Sequence, residues 1–251
     1  MSGLRQAVLS NDTEELVRLI REGADLEAVD DEGRTALCLA VELERTDMVR
    51  VLLESGANPN TPRTQHYSSK DDTSPLMNAA RDAASVETLL FAGANPHYRC
   101  THRYGKRCDW SALDKVCMFG GSAHVIKLLC LAGVDPNATP TVDFGRDDNT
   151  SPLMSAAISL QVNCVQVLMS FGADPNYRYS FRRGERDDRS ALDQACQYGL
   201  TAMVRVLCEA GVDPNTTHTL KVGKKDDTSP LMWAACKSET SVVQTLLGHG
   251  A

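Results

Sequence analysis

The sequence predicts an all-α repeat solenoid of helix-turn-helix units that carry extended β-hairpin fingers. The first observation is a recurring phrase, Gly-Ala or Gly-Val followed by Asp or Asn, which ends an apolar run six times. The copies begin at Gly23, Gly56, Gly93, Gly133, Gly172 and Gly211, and a shortened seventh copy is assigned to Gly248–Ala251. The steps between these glycines are 33, 37, 40, 39, 39 and 37 residues. A nearly fixed period in this range is typical of stacked supersecondary units and not of a compact enzyme core.

The second observation is a hydroxyl residue before a short apolar helix in every unit after the first. An oxygen at this position caps free helical N–H groups, and the first helical position after it tolerates proline. We call this residue the cap; the caps are Thr35, Ser74, Ser111, Ser151, Ser190 and Ser229. Proline follows three of them, as Pro75, Pro152 and Pro230. The pattern predicts the first helix of each unit.

A second helix follows in each unit, with apolar residues at helical spacing, as in Met48–Leu53. The glycine after it predicts a left-handed end to that helix. Seven units result, approximately 1–30, 31–60, 61–97, 98–137, 138–176, 177–215 and 216–251. Four aliphatic residues of the last unit would lack a following unit to cover them, so the chain is expected to continue beyond Ala251. They are Val242, Val243, Leu246 and Leu247.

The third observation is a 13-residue step that is constant in the five longer units. It runs from the residue after the recurring phrase to the cap, as from Tyr177 to Ser190. Alternating residues, as in Tyr177–Arg182, and a glycine at one position of four copies predict β-hairpin fingers stacked side by side. Aligning the five segments places a hydroxyl residue at one position of each, which predicts a ladder across adjacent strands. The ladder comprises Thr64, Thr101, Thr141, Ser180 and Thr219.

Two motifs resemble those of the ankyrin-repeat family. Ser-Pro-Leu-Met-x-Ala-Ala, found at Ser74, Ser151 and Ser229, is similar to the ankyrin phrase Thr-Pro-Leu-His-x-Ala. The segment Leu52–Asn60 is similar to the ankyrin second helix and its exit. The resemblance covers the whole chain and implies a non-enzymatic interaction module with no family-wide catalytic residue. In one departure, the family's histidine, which usually ties neighbouring turns together by hydrogen bonds, is replaced by Cys38, Met77, Asp114, Met154, Asp193 and Met232.

Composition narrows the function classes. The net charge is −7, so general affinity for nucleic acids is not expected from the whole molecule. The nine cysteines do not follow a small-secreted pattern, and seven fall in helical patterns, where a free cysteine acts as a small apolar residue. The N-terminus lacks an apolar signal core, and no stretch approaches a membrane span. We therefore expect a reducing compartment, the cytoplasm with the nucleus as the alternative, and no membrane partner.

Basic and aromatic side chains are concentrated in the predicted fingers, which are 61–72, 98–109, 138–149, 177–189 and 216–227. These segments hold 15 of the 26 basic and 11 of the 33 acidic residues, a net charge of +4 against −11 for the remainder. Exposed Arg, Tyr and Trp dominate many binding interfaces. The predicted partner-binding residues are Arg99, Arg103, Tyr104, Arg107, Trp110, Arg178, Tyr179, Phe181, Arg182, Arg186, Lys221, Lys224 and Trp233.

These residues predict a module that binds a protein or peptide, acidic or phosphorylated, through the concave face of the first helices and the fingers, with no cofactor and no obligate small molecule. One alternative is a nucleic acid or a phosphate-rich small ligand, because rings between basic residues suit it. The other is purely architectural: the rings pack finger on finger, and the charges pair with the Asp-Asp sequences that recur before the caps. No catalytic constellation is present in the sequence, so we do not predict an enzyme.

Two further groups of residues are candidates for metal binding or for covalent modification. His97, Cys100, His102 and Cys108 include the side chains of a Cys2His2 zinc site, but their spacing matches no known zinc finger. No metal site is predicted, and zinc stays an alternative. The family resemblance also makes four asparagines candidate substrates of an asparaginyl hydroxylase. They are Asn60, Asn137, Asn176 and Asn215.

Overall fold

The computed structural model describes residues 3–63, 72–100, 109–139, 150–180, 186–221 and 225–251. Within these ranges the helices are α1 (Gly3–Ser10), α2 (Thr13–Arg21), α3 (Ala36–Glu42), α4 (Thr46–Glu54), α5 (Pro75–Asn78), α6 (Ala83–Phe91), α7 (Ala112–Phe119), α8 (Ala123–Leu131), α9 (Pro152–Ile158), α10 (Val162–Ser170), α11 (Ala191–Gln197), α12 (Thr201–Glu209), α13 (Pro230–Cys236) and α14 (Thr240–Gly248). The strands are β1 (Arg99–Cys100), β2 (Trp110–Ser111), β3 (Tyr179–Ser180), β4 (Arg186–Arg189), β5 (His218–Lys221) and β6 (Lys225–Thr228).

The helices form two layers. Each odd-numbered helix, the first helix of its unit, contacts the odd-numbered helices before and after it, and the even-numbered second helices stack in the same way. The core between the layers is a row of leucines two positions after the caps, and five of them are at most 1% exposed: Leu37, Leu76, Leu113, Leu153 and Leu192. Burying one such side chain contributes about 1.5–3 kcal/mol. The predicted solenoid of helix pairs is confirmed.

Every predicted cap is confirmed. In each of the six units the hydroxyl oxygen accepts a hydrogen bond, 3.2 or 3.3 Å long, from the backbone N–H three residues later. The three prolines occupy the start of α5, α9 and α13. Because proline has no N–H, it leaves one fewer helical donor to satisfy there.

The aspartates that replace the family's histidine complete the cap in two units. Asp114 Oδ2 accepts from the backbone N–H of Ser111 at 2.8 Å and from its hydroxyl at 2.7 Å. Asp193 does the same with Ser190, at 2.8 Å in both bonds. Both units therefore have a reciprocal capping box. Burial raises the pKa of the Asp114 carboxyl, although the hydrogen bonds from Ser111 oppose that shift.

Asparagine amides tie neighbouring units together at the turns. Asn60 donates to the carbonyl of Gly93 at 3.1 Å and accepts from the backbone of Asn95 at 2.7 Å. Asn137 repeats this between units 4 and 5, donating to Gly172 at 2.9 Å. Cys38, which stands at the place of the family's histidine, adds a contact of 3.7 Å from its sulfur to the carbonyl of Thr61. These bonds join neighbouring units at the turns.

The turn assigned to the last unit is wrong, and the expected exposure of its four aliphatic residues is met only in part. Gly248 belongs to α14, and Gly250 has the positive φ of +91° that its equivalents share, so the last step is 39 residues long and not 37. Asn215 donates to the carbonyl of Gly250 at 2.9 Å, as its counterparts do in earlier units. Val242 and Leu246 are fully buried because α14 packs against α12 and α13, whereas Leu247 is exposed.

Hairpin pairing is present in the fingers of units 4, 6 and 7, and unit 3 has one bridge between Arg63 and Thr73, but the strand order breaks the hydroxyl ladder. β1 pairs with β2, and β3 to β6 form one antiparallel sheet in the order β3-β4-β5-β6, so the fingers of units 6 and 7 lie side by side. Ser180 and Thr219 are not on adjacent strands, because β4 lies between β3 and β5. They pair instead within their own hairpins, with Asp188 and Asp227. Thr64, Thr101 and Thr141 lie outside the described residues.

Candidate functional site

The C-terminal ends of the first helices carry a row of exposed apolar side chains. Positions four, seven and eight after the cap share one face of a helix because 3.6 residues make a turn; we call this the inner face. Large apolar residues at or beside positions seven and eight are 38–57% exposed in units 2, 4, 5 and 6. We call them the apolar row: Leu43, Phe119, Ile158, Leu160 and Tyr198. Since neighbouring first helices are in contact, the row crosses the stack.

The residue just before the cap alternates between two kinds. It is large in units 2, 4 and 6, where alanine follows the cap, and threonine in units 3, 5 and 7, where proline follows it. We call these the alanine units and the proline units. In each alanine unit the large side chain reaches along the inner face toward the end of its first helix. Arg34 meets Glu42 at 3.5 Å, Arg189 donates to Gln197 at 2.6 Å, and the rings of Trp110 and Phe119 meet edge to face at 5.8 Å.

Ion pairs join the first three units beside the inner face. Arg34 lies 2.9 Å from Asp30, and Arg63 bridges Glu32 at 3.0 Å and Glu42 at 2.8 Å. Burial would raise the pKa of Asp30, but hydrogen bonds from the backbone and side chain of Arg34 outweigh it and hold that pKa below its usual value. These cations therefore pair within the chain, although their partners are not the Asp-Asp sequences that the architectural alternative named.

The predicted partner-binding residues fall into three groups. Side chains are described for Arg99, Trp110, Arg178 and Trp233. Tyr179, Arg186 and Lys221 are described only as strand positions. Arg103, Tyr104, Arg107, Phe181, Arg182 and Lys224 lie outside the described residues. The prediction that they bind a partner therefore stays a prediction.

The four described side chains lie at finger bases and on the inner face. Arg99 donates to the carbonyl of Asp109 at 2.7 Å and lies 3.8 Å from the Asp114 carboxylate, so it braces its own finger. Trp233 occupies position four of unit 7 on the inner face, half-buried, and the guanidinium of Arg189 lies 5.7 Å from its ring. Tyr98 donates its hydroxyl to the carbonyl of Asp72 at 3.2 Å and links two finger bases.

The concave face of the first helices was predicted as a binding surface, but the apolar row and the arginines that flank it were not. Two patterns in the sequence could have located these residues. The residue before the cap alternates between arginine or tryptophan and threonine, and several units have a large residue eight positions after the cap. Composition could not supply that signal, because it counts residues and ignores the face on which they lie. The row matters for function because large exposed apolar patches mark binding surfaces on soluble proteins.

Among the cysteines that the structure describes, all but one are buried as core residues. Burial raises the pKa of Cys130 to about 11 and also raises the pKa of the Cys117 thiol, so both stay protonated at neutral pH. Cys236 was expected to act as a core residue and is exposed, because the proline unit that holds it ends the described stack. Across the described residues, no three His, Cys, Asp or Glu side chains group as a metal site. His97 and Cys100 lie in this part of the chain, and His102 and Cys108 lie outside it.

A family and two solved structures are similar to this chain. The sequence pattern of the family described as "Ankyrin repeats (3 copies)" matches residues 4–100, 76–179, 113–218 and 179–251. The human ASB11 ankyrin repeat domain is 22% identical, with a TM-score of 0.70 over 100% of this chain and 99% of that one. The ankyrin repeat domain of Bcl-3, a member of the IkappaB family, is 24% identical, with a TM-score of 0.69 over 99% of both chains. No curated protein sequence matches the chain.

No helix in the described ranges combines the length and the apolar character needed to cross a bilayer.

Proposed function

The chain belongs to the ankyrin-repeat family, and we propose that it is a non-enzymatic module that holds an extended segment of a partner protein along its inner face. Domains of this family are generally protein–protein interaction modules. Stacked repeats offer long continuous surfaces, and the side chains on those surfaces choose the ligand. The fingers would form the second side of the same binding surface.

The observation that carries the proposal is the apolar row. Its members are spread over units 2, 4, 5 and 6, so a single extended segment could contact all of them in turn. Tyr198 is the strongest anchor, because an exposed tyrosine offers a large rigid ring and a hydroxyl at low conformational cost. A segment that covers these side chains removes apolar surface from water, which favours binding.

The proposal is tested by comparing two surfaces of the same molecule. Ile158→Asp combined with Tyr198→Asp should weaken partner capture on the order of tenfold or more, because charges would replace two apolar contacts. Phe91→Asp is the matched control: Phe91 is 96% exposed but ends α6 in the second-helix layer. Affinity purification with quantitative mass spectrometry measures all three chains. Equal recovery by the double variant and the control would contradict the proposal.

The phosphate-rich alternative is separated by its dependence on salt. A nucleic acid held by several cations loses about 10³-fold or more in affinity between about 50 and 200 mM salt. A peptide held by the apolar row should lose far less. Three described arginines favour the peptide, because Arg34, Arg63 and Arg99 already contact carboxylates of the chain itself. A steep salt dependence with the purified partner would favour the alternative.

A further inference from the structure

Unit 3 has a shortened first helix. α5 spans only Pro75–Asn78, whereas α9 at the same place in unit 5 spans Pro152–Ile158. Between its cap and the N-cap of its second helix, unit 3 has two residues fewer, since Asp82 starts α6 where Gln161 starts α10. The chain therefore leaves the inner face early in unit 3. The longer first helices of units 2 and 4 remain on either side.

This shortening coincides with an open cavity of about 510 Å³ that interrupts the apolar row. Its lining comes from three units and includes Glu42, Glu44, Asn78, Arg81, Lys115 and Phe119. The next unit fits against the shortened turn because Gly121 has no side chain. A Cβ atom there would lie 2.8 Å from the carbonyl oxygen of Ala80, so only glycine permits this approach.

Two carboxylates that line the cavity are already satisfied by the chain. Glu42 is held by Arg63 at 2.8 Å and by Arg34 at 3.5 Å. Asp82 caps α6 through the backbone of Ala84 at 3.1 Å and accepts from the hydroxyls of Thr46, at 2.9 Å, and Ser85. Neither carboxylate therefore requires a cation from a ligand.

Two hydrogen-bond donors in the cavity, Asn78 and Arg81, are not paired with carboxylates in this way. The Nδ2 atom of Asn78 is buried and has no hydrogen-bond partner among the described residues. A buried donor without a partner is unfavourable, and an acceptor in the cavity reaches this one when the Asn78 side chain turns toward it. Arg81 is exposed and donates to the carbonyl of Phe119 at 3.2 Å, and it forms no ion pair with a described carboxylate. The amide and the guanidinium both favour an anion.

We propose that this cavity is an anchor site for an acidic side chain of the bound partner segment. The carboxylate would accept from Asn78 Nδ2 and pair with Arg81, and its methylene groups would lie against the exposed ring of Phe119. Glu44, exposed and outside any ion pair in the described ranges, lies on the unit 2 side of the cavity. It disfavours a second acid and favours a basic residue on that side of the segment. This assignment rests on the proposed function, because it names one contact of the same bound segment.

The test uses short peptides selected from a random library on the intact chain of 251 residues. Fluorescence anisotropy then measures the affinity of each labelled peptide for the variants. Arg81→Glu should weaken binding on the order of tenfold, and changing the peptide's acid to lysine should restore affinity to that variant. Asn78→Leu removes the buried donor without a change of charge and should weaken binding by a smaller factor.

The matched control is Lys127→Glu, an equal charge reversal at an exposed position of α8. The proposal is overturned if Lys127→Glu and Arg81→Glu weaken binding equally, if the selected peptides lack an acid, or if only a phosphorylated residue binds. Thermal melts of each variant exclude loss of fold. Ile158→Asp with Tyr198→Asp separates the two proposals. If the peptides lose affinity for that double variant but keep it for Arg81→Glu, the anchor site is wrong and the proposed function stands. If neither change affects affinity, the proposed function is wrong as well.

Discussion

The alanine units and the proline units use the same two-helix plan in different ways. In the alanine units 2, 4 and 6, a large residue before the cap lies along the inner face and meets the end of the first helix, as Trp110 meets Phe119. In the proline units 3, 5 and 7 that residue is threonine, and in unit 5 the bond of Ser155 to Thr150 is local. The comparison shows that alternate units supply most of the inner-face side chains.

The caps also differ between the alanine units and the proline units. Units 4 and 6 satisfy the backbone N–H of the cap residue with a buried aspartate, whereas the proline units remove a helical donor by placing proline after the cap. Two chemical solutions therefore meet one requirement, which is to leave few unsatisfied donors where the chain enters a helix.

The largest expected effect should not depend on unit type. Leu113→Ala in an alanine unit and Leu153→Ala in a proline unit should each lower the free energy of unfolding by about 2–5 kcal/mol, because both leucines are fully buried. Leu131→Ala, at an exposed position of α8, is the control and should cost about 0.5 kcal/mol or less. Urea unfolding measures all three. A large difference in unfolding free energy between the two core variants would show that unit type also affects packing in the core.

An intermediate effect should depend on unit type at the fingers. Arg178→Glu with Arg182→Glu reverses two charges in the finger of an alanine unit, and Lys221→Glu with Lys224→Glu does so in a proline unit. We expect the arginine pair to weaken partner binding on the order of tenfold and the lysine pair less, because the planar guanidinium binds carboxylates through two hydrogen bonds. Surface plasmon resonance with the purified partner measures both. Equal losses, or none, would remove the fingers of the alanine units from the binding surface.

The smallest effect is a difference in pH dependence between two carboxylates. The folded-state pKa of Asp30 is lowered, so its stabilisation is complete above the unfolded value of about 3.9 and is lost as pH falls through the folded value. The folded-state pKa of Asp114 is raised, so its charge opposes folding above that value, and this cost disappears as pH falls toward the unfolded value.

Asn substitutions separate the two carboxylates. Asp30→Asn should flatten the dependence of unfolding free energy on pH below about pH 4, and Asp114→Asn should flatten it above about pH 4. Urea unfolding across this pH range measures both. If the two variants changed the same part of the curve, the opposite signs assigned to these groups would be wrong.

Local chemistry made most of the fold predictable. Caps such as Ser151 and turn glycines such as Gly172 act on backbone groups within a few residues, so their spacing alone located the helices. The errors arose where contacts with a neighbouring unit determine the local structure. Gly248 and Gly250 are both plausible turn residues, and the bond from Asn215 in the preceding unit marks which one ends the helix. The hydroxyl ladder failed because aligned sequences give equivalent positions and do not give the order of strands in a sheet.

The sequence by itself determined the caps, the turns that end the second helices before α14 and the local pairing of the hairpins, because each depends on bonds that a short segment makes with itself. The tertiary structure alone decided which side chains of different units meet. Arg63 with Glu32 and Arg189 with Trp233 are pairs more than 30 residues apart, and two missing residues in unit 3 matter only against the helices of units 2 and 4. Such contacts depend on how the units stack, and no single period of the sequence contains that information.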